Sequence, residues 1–103
     1  MGPRQALECV EKQGLTASLK PVANATRLDP TEYLNVDVSK TTTISVAFFT
    51  DPAGTRSYVE SQHQAASAGL NPNQTELVGP TTALTVDVPG GVGTERRTIL
   101  GCL

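Results

Sequence analysis

The sequence predicts an α+β fold, with a mainly antiparallel sheet of four to five strands and two or three helices packed on one face. Three observations predict it. Apolar and polar residues alternate over 15–22, 34–38, 41–49, 75–78 and 82–88, the period of half-buried strands. Residues 52–68 instead repeat their apolar positions at the spacing of a helix. Two pairs, Gly14-Leu15 and Gly69-Leu70, stand where a left-handed cap and its apolar follower would end a helix.

Each element has its own warrant. The opening helix takes Pro3 in its first turn, where a missing N–H is harmless. Ala6, Leu7, Cys9 and Val10 fall on one side and Arg4, Glu8, Glu11 and Lys12 on the other, which sets Cys9 at a buried edge. The strand over 15–22 closes on Lys20-Pro21, a pair suited to a sheet edge or a strand end. Asp29-Pro30-Thr31-Glu32 reads as a single capped turn. Leu34, Val36 and Val38, followed after Ser39-Lys40 by Ile44, Val46 and Phe48, give a hairpin.

Asp51 then caps the long helix with Pro52 at its first position, and Thr55, Tyr58, Val59, Gln62, Ala65 and Ala66 form one face. Strands over 75–78 and 82–88 flank Gly79-Pro80, and Pro89-Gly90-Gly91-Val92-Gly93 breaks the pattern. The tail, 94–103, fits a helix capped by Thr94, with Ile99, Leu100 and Leu103 gathered and Cys102 at the edge, better than it fits a strand. Residues 30–38 and 80–88 match at the Pro, Thr, Leu, Val, Asp and Val positions, an echo that suggests a duplicated helix-strand-strand unit.

A length of 103 residues predicts one domain spanning 1–103. Its core is thin: apolar residues are 38% of the chain, aromatics 4%, and there is no Trp. A small core of Val, Leu and Ala gains more than most from a covalent cross-link. The formal charge of −2 and the absence of a basic stripe beyond Arg96-Arg97 argue against nucleic-acid binding. No apolar run approaches a membrane span, and the start M-G-P-R-Q-A lacks both a signal-peptide core and a myristoylation site. An exported chain would therefore be a mature fragment with an added start.

Motifs for chemistry are sparse. His63 is the one histidine, and its helical position places it on a solvated flank with no nucleophile at a useful spacing. Asp37 and Asp87 each sit between valines in a strand and point away from the apolar face, toward solvent rather than toward each other as an acid-base pair. Gly90-Gly91-Val92-Gly93 lacks the spacing and the Lys partner of a phosphate loop. Two distant cysteines and one histidine lack the short-range pairs of a zinc site, so neither metal nor cofactor is expected. Asn24-Ala25-Thr26 and Asn73-Gln74-Thr75 match the N-glycosylation acceptor pattern, which counts only in a secreted eukaryotic protein.

The cysteines carry more. A Cys9–Cys102 disulfide would close a loop of about ninety residues, worth about 4 to 5 kcal/mol in the chain-entropy model, and would tie both ends of the chain. Two buried thiols are the second reading. A redox pair beside Arg96 and Arg97 is the third.

The segments A-L-E-C-V-E-K-Q-G (6–14) and E-R-R-T-I-L-G-C-L (95–103), with the junction A-F-F-T-D-P-A-G (47–54), resemble small uncharacterised extracytoplasmic domains of actinobacterial envelope proteins. The resemblance implies export and a disulfide, and no activity. The expected function is a non-enzymatic extracytoplasmic binding module with a protein partner, acting through an uncovered sheet face or an exposed edge. The alternative is a small intracellular inhibitor or accessory protein, for example phage-encoded, whose cysteines would be free in a reducing compartment.

Overall fold

A computed structural model describes residues 2–39, 42–67, 74–86 and 93–103. The elements run α1 (Pro3–Lys12), β1 (Thr16–Pro21), β2 (Glu32–Asp37), β3 (Thr43–Phe48), α2 (Pro52–Ser67), β4 (Gln74–Gly79), β5 (Thr82–Val86) and α3 (Gly93–Leu100). The strands form one five-stranded sheet in the order β1-β2-β3-β5-β4, antiparallel at every neighbouring pair. The α+β class and the antiparallel sheet are as the sequence predicts.

The caps form as the residues dictate. Gly14 adopts φ 86°, its N–H donates to Glu11 O, and the Leu15 N–H reaches back to Val10 O. This doubly bonded left-handed ending stops α1 and turns the chain into β1. Asp51 Oδ1 accepts the Ala53 N–H at 2.8 Å, with Pro52 opening α2. Gly69-Leu70, the other expected ending, lies outside the described residues. The expected turn at Asp29 forms in the opposite sense, because the Asp29 carboxylate accepts from the backbone and hydroxyl of Thr26, three residues earlier. Those two bonds hold its pKa below the ordinary aspartate value. Glu32 is thereby released into β2. The tail is helical, with Thr94 inside the first turn of α3 rather than capping it.

Side chains alternate across the sheet, so residue parity decides which face each helix covers. Leu34, Val36, Ile44, Val46, Leu84 and Val86 point to one face and pack with Ala6 and Val10 of α1 and Ile99 of α3. Ala47, Phe49 and Ala83 have the opposite parity and pack with Val59 of α2. Two helices thus share one face, and α2 lies across β4 and β5 on the other. The long connection from β3 to β4 crosses that face and returns the chain parallel to β3, with β5 between them. The echo between 30–38 and 80–88 is one of strands only. Leu34 and Val36 face the helix that precedes them, whereas Leu84 and Val86 turn away from α2.

One contact anchors α2. The loop before β2 brings Leu28 onto Gly54, where a Cβ would lie 2.5 Å from the Leu28 carbonyl oxygen and 2.9 Å from its Cα. Arg27 Nε adds a 3.3 Å ion pair with Asp51 Oδ2. Gly54→Ala is therefore expected to destabilise the fold by about 1 to 3 kcal/mol through overpacking. That exceeds the gain of about 1 kcal/mol that alanine usually brings to a helix. Urea unfolding checks the sign; a stabilised variant would mean that the loop yields freely.

A half-covered sheet face as the candidate functional site

α2 rests on β4 and β5 and its cluster reaches Ala47 of β3 and Tyr33 of β2; over β1 and the rest of β2 and β3, no helix covers this face among the described residues. Register builds that surface. Ser18 pairs with Asn35, Asn35 with Ser45, Ser45 with Thr85, and Thr85 with Thr75, so one polar row crosses all five strands. The row beside it runs Lys20, Tyr33, Ala47, Ala83 and Leu77, and on the other side stand Thr16, Asp37 and Thr43.

The polar row changes character along its length. Under α2 it is buried and satisfied internally: Thr75 Oγ1 and Thr85 Oγ1 are 2.8 Å apart, and His63 Nε2–H donates to the Thr75 carbonyl at 2.6 Å. Beyond α2, Ser45 Oγ–H donates to Asn35 Oδ1 at 3.0 Å, and both residues are half-buried while Ser18 is exposed. An open sheet face normally carries such polar residues, but this one is continuous with a buried polar seam that fixes its register.

Aromatic side chains mark the boundary between the covered and open parts. Phe49 and Tyr58 meet at 5.4 Å with rings tilted by 57°. Tyr33, on the open side, has its pKa raised, chiefly by burial and further by the neighbouring Tyr58 and its hydrogen bond. Its hydroxyl stays protonated well into the alkaline range.

The residues singled out in the sequence fall in different places. Cys9 and Cys102 are joined as a disulfide with their Cα atoms 5.7 Å apart, linking α1 to the segment after α3. Arg96 pairs with Glu76 of β4, and Arg97 bonds the Gly93 carbonyl. His63 is exposed as expected, yet it ties α2 to the edge strand β4. Asp37 is exposed on the open face; Asp87, 90–92 and Asn73 lie outside the described residues. Asn24 is exposed in a turn at φ 57°. A depression beside Cys9 is lined by Gln5, Glu8, Lys12 and Gln13, and another at the β4–β5 turn by Val78, Pro80, Thr81 and Leu103; neither contains His63 or Asp37. Among the described residues no three acidic, His or Cys side chains gather as a metal site, and no helix is long and apolar enough to cross a membrane.

The surface residues Ser18, Tyr33, Asn35 and Ser45 were not marked by any motif. Their only signal is that they occupy the polar positions of three alternating strands.

No family model, no curated protein and no solved structure matches this chain.

Proposed function

We propose that the chain is a non-enzymatic binding module that works outside the cytoplasm, in the cell envelope or after secretion, and that it binds through the open sheet face over β1–β3. The observation that carries this reading is the division of one sheet face into a part sealed by α2 and a part with no helix over it among the described residues. A sheet sealed on the β4–β5 half and open on the other presents a rigid, flat surface, and rigid surfaces lose little freedom on binding. Export is supported by the Cys9–Cys102 bridge, since disulfides persist in oxidising compartments. The envelope setting suggested by the two cysteine contexts belongs to the same reading.

Two measurements test it. A photo-crosslinking residue at Ser45 is expected to give adducts in the producing cells, while one at exposed Glu60 on α2 gives none. Equal labelling from both positions, or none from either, would overturn the choice of surface. Alkylation of the protein from its source without reduction is expected to leave its mass unchanged. A gain of two alkyl groups would instead favour the intracellular inhibitor.

A further inference from the structure

We propose that the open face takes an uncharged, polyhydroxylated chain, a neutral glycan, with the Asn35–Ser45 pair reading adjacent hydroxyls and Tyr33 supporting the sugar ring. The inference rests on the reading of this face as the working surface and names its ligand class.

Charge comes first. Among the described residues the rows hold one cation, Lys20, and one anion, Asp37, separated along the strands by the polar row, and Asp29 stands near Tyr33 at their margin, so the formal balance is a single negative charge. The face has no field to gather a polyanion or a strongly basic partner. Apolar content comes second. Protein interfaces are centred on aromatic, Met or Arg anchors that fill pockets, and the open rows carry only Tyr33 of these types. A protein seated here would bury little apolar surface.

The hydrogen-bond inventory is the third and most specific observation. Ser45 spends its single proton on Asn35 Oδ1. The pair therefore presents amide N–H donors on Asn35 and hydroxyl lone pairs on Ser45, side by side on neighbouring strands about 5 Å apart. A ligand suited to both needs one group that accepts and an adjacent group that donates. Vicinal hydroxyls do so, since each hydroxyl is both donor and acceptor. Ser18 and Thr43 extend the same chemistry on either side. Tyr33 sits one row away on the strand of Asn35, half-buried against the cluster of Ala47, Phe49 and Val59, so its ring is held by packing and its exposed part is a platform for the apolar face of a pyranose.

Native electrophoresis through gels containing, in turn, dextran, galactomannan, glucomannan and arabinogalactan tests the proposal on the intact disulfide-bonded chain. The expected result is retardation by at least one of these, weakened at least tenfold in both Asn35→Ala and Ser45→Ala and unchanged in Glu60→Ala, all with wild-type circular dichroism. No retardation in any neutral gel, retardation only by an acidic polysaccharide such as polygalacturonate, or retardation indifferent to both substitutions would overturn it. A protein adduct from the Ser45 crosslinker without glycan retardation would leave the binding surface standing and remove the glycan; loss of both would remove the surface as well.

Discussion

The variant with alanine at both Cys9 and Cys102 is expected to unfold with about 4 kcal/mol less free energy than the oxidised protein. The cysteines are separated by 93 positions, and closing so long a loop removes a large share of the unfolded chain's freedom. A domain of this size commonly has about 5 to 15 kcal/mol in total. The effect should therefore appear as a large fall in the urea midpoint, and reduction of the native protein should reproduce most of it. A loss below about 1 kcal/mol would mean that packing alone holds the two ends in place.

The second large effect is expected at Ile99. This side chain is fully buried and is the main anchor of α3 on the sheet, beside Leu84 and Val86. Truncation to alanine removes apolar burial and leaves a cavity, at a cost of about 2 to 5 kcal/mol. Because the disulfide fastens the segment just beyond α3, the two effects should be coupled rather than additive. In the cysteine-free background α3 is held less firmly, so the same truncation should cost less. Denaturant unfolding of the four proteins in the cycle measures the difference, and strict additivity would show that the bridge and the helix act independently.

Much of the fold was legible from local pattern because local forces set it. Gly14 ends α1 and Asp51 begins α2 through bonds made within a few residues, and the alternation through Ile44, Val46 and Phe48 marks a strand whatever its partners. The face taken by α2 was harder to read. Its signal lies in Val46-Ala47-Phe48-Phe49, where apolar residues of both parities are buried. Such a run requires cover on both sides of the sheet, but one alternating set explains a strand well enough to hide the other.

The candidate site was less legible for a different reason. Ser18, Asn35 and Ser45 lie on three separate strands and meet only through register, which no short stretch of sequence specifies. His63 illustrates the same limit. Its helical position gives an exposed flank, while its bond to Thr75 depends on β4 returning beneath α2.

The Cys9–Cys102 bridge also determines how the molecule answers to tension. It closes residues 9–102 into a covalent ring, so tension applied from outside that ring passes through the sulfur–sulfur link. The hydrogen-bonded ladders of the sheet then bear almost none of the load. Oxidised, the domain passes force without extending and its sheet keeps its shape; reduced, it would yield first at α1 and α3, the elements nearest the points of pull.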